Sequence, residues 1–264
     1  MTGFSTNTEH SAAAPAGDSP TYDPSEVARF GRMAAEWWDP AGKFRPLHRI
    51  GPARLAFLRD RIAGHFGPTP PGRTAARPLT GLRLLDVGCG GGLVAEPLCR
   101  MGARVTAIDP SAETIGAARA HADPQRLAID YRALRAEDLV AAGETFDAVT
   151  CLEVLEHVPD PAAFLAMAAE LVRPGGLLVV STINRTMTSY ALAIVAAEYV
   201  LGWLPRGTHQ WERFITPDEL GRHLAAAGLD APVFEGVVYD PLRDTFVLAA
   251  DTAVNYMASA AKPA

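Results

Sequence analysis

Leu84-Leu85-Asp86-Val87-Gly88-Cys89-Gly90-Gly91-Gly92 carries an apolar run straight into a cluster of glycines. An extended segment that ends this way brings bare backbone close to a ligand, because glycine has no side chain to block the approach. The next apolar run closes on an acid, Asp109. An acid in that place can hold a ribose through its hydroxyls. Gly88, Gly90 and Asp109 together predict a site for a nucleoside-containing cofactor. The spacing alone suits a nicotinamide cofactor as well.

Outward from this turn the chain alternates between strand and helix patterns. Strands are predicted at Arg83–Val87, Val105–Asp109, Ile129–Leu134, Phe146–Leu152 and Leu177–Ile183. The runs 146–152 and 177–183 are continuously apolar, as expected of central strands. Helices are predicted from Gly92 to about Met101, from Ser111, after Pro161 up to Arg173-Pro174-Gly175-Gly176, and over Pro217–Ala227. Val233–Tyr239 and Thr245–Ala250 suit an antiparallel pair at the sheet edge. The alternation predicts an α/β fold with a seven-stranded, mostly parallel sheet, an antiparallel edge and helices on both faces.

Upstream, residues 1–23 are rich in Ser, Thr, Ala, Pro and Gly and predict a disordered tail. Residues 24–66 predict a helical cap, with Val27, Phe30, Met33, Ala34, Trp37 and Trp38 at helical spacing and a second helical pattern over Pro52–Phe66. A proline-rich loop over 67–81 then leads into a main domain over 82–257, and 258–264 is expected to be a disordered end.

Composition narrows the function classes. The chain has 264 residues, 48% of them hydrophobic, and a net charge of -6. That charge argues against a general nucleic-acid binder, which carries a basic stripe. Cys89, Cys99 and Cys151 match no zinc or disulfide framework and predict free thiols in a reducing compartment. The N-terminus shows no secretory pattern, and no stretch offers the roughly 20 apolar residues of a membrane span.

Beyond the glycine turn, five stretches carry a resemblance to the class I S-adenosylmethionine methyltransferases: LLDVGCGGG, AIDPS, RAEDL, FDAVTCLEVLEHV and LVRPGGLLVVSTINR. Pieces outside that core narrow it. WWDPAGKFRPLHRIGPAR, LEVLEHVPDP, the segment Asn184–Pro205, RGTHQWERFITP and VNYM (Val254–Met257) resemble the ubiquinone biosynthesis O-methyltransferases, over nearly all of Val27–Met257. The resemblance implies a Rossmann-like fold and S-adenosylmethionine as the methyl donor. It implies backbone at Gly88 and Gly90 near the donor's methionine part and Asp109 on its ribose. Asp138, or Glu137 beside it, falls where the family contacts adenine. Leu152 borders the same site, and Arg54 matches a position that reaches the donor's carboxylate.

Glu153, Glu156 and His157 follow the fourth strand, at the edge where ligands bind in this architecture. A phenol with pKa near 10 is a poor nucleophile while protonated, so a base or a cation beside its oxygen is needed. The resemblance implies a magnesium ion on these three residues; the plainer reading is that His157 acts as a base or caps the next helix. The implied acceptors are polyprenylated catechols and quinols, at two steps of ubiquinone biosynthesis. Methylation of ring carbon or of another small lipid, and a non-catalytic cofactor-binding scaffold, stand as alternatives. The largely uncharged run 186–205 suits either a lid helix on the core or a flap that covers an apolar substrate and touches the membrane surface, with Arg185, Arg206 and His209 toward headgroups. The expected place is cytoplasmic, peripheral to the inner membrane, with other quinone-biosynthesis proteins as possible partners.

Overall fold

The computed structural model describes residues 21–67, 74–191 and 210–264. The expected tail over 1–20, the middle of the proline-rich loop (68–73) and the body of the flap (192–209) lie outside the described residues. Eight strands form one sheet: β1 (Arg83–Val87), β2 (Arg104–Asp109), β3 (Ile129–Ala133), β4 (Phe146–Leu152), β5 (Val172–Ile183), β6 (Val233–Asp240), β7 (Thr245–Ala249) and β8 (Asn255–Ala261). Their order across the sheet is β3-β2-β1-β4-β5-β8-β6-β7. The first five are mutually parallel, and β8 pairs antiparallel with both β5 and β6. The β6–β7 hairpin forms the edge, as expected of the pair Val233–Tyr239 and Thr245–Ala250.

Among the described residues eight helices accompany the sheet: α1 (Pro24–Gly31), α2 (Arg45–Phe66), α3 (Ala95–Arg100), α4 (Ala112–Ala122), α5 (Ala136–Ala141), α6 (Pro161–Leu171), the single turn α7 (Met187–Ser189) and α8 (Pro217–Ala226). Alternate strand residues point to opposite faces, and the core divides accordingly. Leu84, Val105, Ala148 and Val179 pack with Phe57, Leu58 and Ile62 of α2 and with Leu98 and Ile115. Their neighbours Leu85, Val149, Leu178 and Val180 pack with α5, α6 and α8 through Leu139, Phe164, Leu165 and Leu220. A third, small cluster of Ala34, Trp37 and Phe44 belongs to the cap.

Two boundaries differ from expectation. Residues 258–264 are not a disordered end: Ala258–Ala261 complete β8, with Met257, Ala258 and Ala260 buried. The sheet therefore has one strand more than predicted. The run Asn255-Tyr256-Met257-Ala258-Ser259-Ala260-Ala261 is mostly small residues of low strand preference. It is a strand because β5 and β6 flank it. The second cap helix also begins earlier, at Arg45, and runs through Pro52 instead of starting there. Caps fix the loops at the carboxyl edge of the sheet: Ser111 accepts from the Thr114 N–H at 3.1 Å, and Asp160 accepts from Ala162 and Ala163 at 2.9 and 3.0 Å.

Candidate functional site

The turn after β1 needs glycine for two separate reasons. Gly88 and Gly90 both have positive φ, +68° and +53°. A Cβ at Gly88 would lie 2.7 Å from Val154 Cγ2, and one at Gly90 would lie 2.4 Å from Trp37 Cη2. The Gly90 N–H donates to Asp109 Oδ2 at 3.2 Å, while the Ser111 N–H donates to Oδ1 at 2.9 Å. The turn and the end of β2 thus aim one carboxylate. Burial pushes Asp109 up to about 6, against the pull of those two N–H groups.

Beneath the turn lies Asp86, 2% exposed within β1. Thr150 Oγ1 donates to its Oδ1 at 2.7 Å, and its Oδ2 has no partner. Burial, with Asp109 nearby, pushes Asp86 up to about 7. Gly88, Gly90, Asp86, Asp109 and Leu152 all line one cavity of about 860 Å³ along the carboxyl edge of the sheet.

A second set of charges opens on the same cavity. Arg54 of α2 is buried, and its Nη2 meets Glu153 Oε1 at 2.8 Å. Ser181 Oγ donates to that same Oε1 at 2.8 Å. Glu153 sits at φ +55°, outside the ordinary range for its side chain. Glu156 is buried in the 3-10 turn Leu155–His157. Thr182 Oγ1 donates to its Oε2 at 2.9 Å, and Oε1 has no partner. Burial first, and the Glu153 charge second, push Glu156 up to about 7. His157 turns the other way: its Nδ1 pairs with Glu26 Oε2 of α1 at 2.9 Å, and Phe30 meets its ring edge-on at 5.2 Å.

Two of the expected sets have other partners in the structure. Glu153, Glu156 and His157 do not make a metal-binding set as arranged. Among the described residues no three His, Cys, Asp or Glu side chains are gathered to hold an ion. Arg54 and Ser181 occupy Glu153, Glu26 occupies His157, and Thr182 holds Glu156. In this arrangement the three side chains are not gathered on one ion, and no step below runs through a metal. Asp138, offered for adenine, caps α5 instead: its Oδ2 accepts from the Arg135 N–H at 3.0 Å. Its neighbour Glu137 lines the cavity, with Arg135 and Ala136.

The expected roof over the cleft is made by the tryptophan pair. Trp37 is 8% exposed, stacks on Phe44 at 3.8 Å and lies over Gly90 and Gly91. Trp38 Nε1 donates to the Gly91 carbonyl at 2.9 Å. His48 is a backbone partner, its Nε2 donating to the Trp37 carbonyl at 2.8 Å. Trp211 Nε1 donates to the Thr186 carbonyl and does not line the cavity. Reading the sequence did not single out Asp86 or Glu26 for the site. An acid inside the apolar run Leu84–Val87 was a usable signal for Asp86. Glu26 carries no such mark, because its partner His157 lies far along the chain.

A Methyltransferase domain family model matches residues 52–231. Among solved structures, magnesium protoporphyrin IX methyltransferase of Synechocystis PCC 6803 with bound SAH aligns at TM-score 0.61 and 18% identity, over 90% of this chain and 95% of that one. A SAM-dependent methyltransferase of Thermotoga maritima aligns at TM-score 0.61 and 17% identity, over 90% and 99%. At such identities the likeness shows the fold. The curated relatives are much closer. The ubiquinone biosynthesis O-methyltransferase of Parvibaculum lavamentivorans is 55% identical over 90% of this chain and 93% of its own length. That of Rhizobium rhizogenes is 56% identical over 90% and 94%. The chain belongs to the ubiquinone biosynthesis O-methyltransferase family, within the class I S-adenosylmethionine-dependent methyltransferases.

Proposed function

We propose that the chain methylates a hydroxyl of polyprenylated catechols and quinols at two steps of ubiquinone biosynthesis, with Glu156 as the base. The observation that carries this is a buried carboxyl with one unpartnered oxygen, opening on the same cavity as the glycine turn and Asp109. The residues present suit S-adenosylmethionine. Asp109 offers two acceptor oxygens for ribose hydroxyls, Asp86 a buried acid for the donor's ammonium, and Arg54 a cation for its carboxylate. Leu152 borders the adenosine, and Glu137 lies nearer the adenine end than Asp138. When bound, the donor supplies an activated methyl on a sulfonium.

The protein has to aim the acceptor oxygen and take its proton. Glu156 titrates near neutrality, where a base is both deprotonated and able to hold the proton it removes. As the new O–CH₃ bond forms and the S–CH₃ bond breaks, the phenolic proton passes to Glu156 Oε1. Glu153 holds the Arg54 guanidinium, and His157 ties the cap to the edge of the sheet through Glu26; neither is assigned the proton.

The chain works at a membrane surface through 186–205, and other quinone-biosynthesis proteins are its partners. Met187, 73% exposed, and Tyr190, 43% exposed, begin that segment with apolar surface facing outward. No helix among the described residues is long and apolar enough to cross a membrane. A catechol precursor and a demethylated quinol, each incubated with methyl-labelled donor and fragmented by mass spectrometry, test the reaction. Label on oxygen in both supports it. Label on a ring carbon would favour carbon methylation, and tight donor binding with no turnover would favour a scaffold.

A further inference from the structure

The cavity extends well past the place assigned to the donor. Because β5 and β6 both run antiparallel to β8, the end of β6 and the β6–β7 turn lie on the same edge of the sheet as the glycine turn. From β1 to β7 is five strand spacings, about 24 Å at ~4.8 Å each. The cavity lining follows that whole edge and continues between α2 and the hairpin, where Ile50, Gly51, Val237, Tyr239, Phe246 and Val254 form it. At about 860 Å³ the space is at the upper end for a single ligand site. The donor's groups are all accounted for between β2 and β4, so the apolar limb from β5 to β7 has no part in holding it.

Gly51 marks this limb independently. It lies inside the 22-residue helix α2, where glycine is destabilising relative to alanine. A Cβ built there meets no atom within 4 Å, so packing does not require the glycine. Its φ is not in the left-handed region, so the backbone does not require it either. Of the two glycines in α2, Gly51 and Gly64, Gly51 lines the limb, and its missing side chain leaves width there.

We propose that the groove between α2 and the β6–β7 hairpin holds the hydrocarbon tail of the acceptor, and that Gly51 keeps it open. The proposal rests on the function given above, because that reading supplies an acceptor with a branched apolar tail. The tail is continuous with the ring at Glu156, and it leaves along the sheet edge. The groove ends at the β6–β7 turn, where Pro241 lines it and Leu242 is 96% exposed.

The test compares a catechol carrying a multi-unit isoprenoid chain with the same catechol carrying none, in one detergent. Gly51→Trp is the main variant and Gly51→Leu the milder one, each checked for folding by thermal melting. The groove predicts that kcat/KM for the tailed acceptor, relative to the tail-free one, falls at least tenfold in Gly51→Trp and less in Gly51→Leu. A ratio within twofold of the unsubstituted chain in both variants would overturn the groove alone. Turnover of neither acceptor by the unsubstituted chain would overturn the function on which it rests, and the groove with it.

Discussion

Glu156, the proposed base, would join catalysis and stability in one side chain. In the unfolded chain a glutamate titrates near 4.5, and burial raises it to about 7 in the fold. Between those values the folded state binds more protons than the unfolded one. Its contribution to stability is therefore most favourable below about 4.5 and is lost as pH rises through 7. Glu156→Gln should accordingly stabilise the protein at pH 8, by up to about 3 kcal/mol, with little gain at pH 5; urea melts at the two values measure it. The same variant should lower kcat by about 10² to 10⁴. In the unsubstituted enzyme, kcat should rise with pH to a plateau above about 7. The sequence Glu-x-x-Glu-His looked like a ligand set for magnesium. Spacing could not show that the positive φ of Glu153 and the 3-10 turn after it send the three side chains to three different partners.

At the scale of elements, the glycine turn and the cap are one device. The indoles of Trp37 and Trp38 rest on Gly90 and Gly91, so the turn assigned to the donor is also the floor on which the cap sits. Gly90→Ala should therefore fail twice, straining a backbone at φ +53° and driving a methyl into Trp37. The expected result is a loss of donor affinity of at least tenfold with the sheet intact by circular dichroism. Trp38→Phe removes one hydrogen bond to the Gly91 carbonyl and should cost about 1 kcal/mol. The turn was legible because glycines clustered at the end of an apolar strand serve a tight bend or a close approach and little else. The cap's docking was only half legible: helical spacing showed an apolar face at Phe30 and Trp37 but not what it faced.

For the whole molecule, the strands β1, β2, β4 and β5 could be read from apolar runs bounded by turns. The strand β8 could not. Its Ala-Ser-Ala-Ala run carries little preference of its own, and its place was decided by the exposed edges of β5 and β6, which lie well upstream in the chain. Ending the chain after Met257 should thus be severe. It would unpair β5 from Leu177 to Val180 and β6 at Val233 and Phe234, and remove Lys262, whose Nζ donates to the Ala169 and Val172 carbonyls at 2.8 Å. Soluble yield should collapse, and any folded fraction should melt well below the full chain, as a thermal scan would show. Everything in the site depends on a donor lying across the sheet edge between the glycine turn and the end of β2. Titration calorimetry of S-adenosylhomocysteine against the unsubstituted chain and Asp109→Ala tests that placement most directly. Loss of a carboxylate that accepts two hydroxyls should cost about 2 kcal/mol, roughly 30-fold in Kd. The affinity of the unsubstituted chain should also weaken as pH drops below about 6, where Asp109 takes up its proton. Equal affinities in the two proteins would contradict the placement.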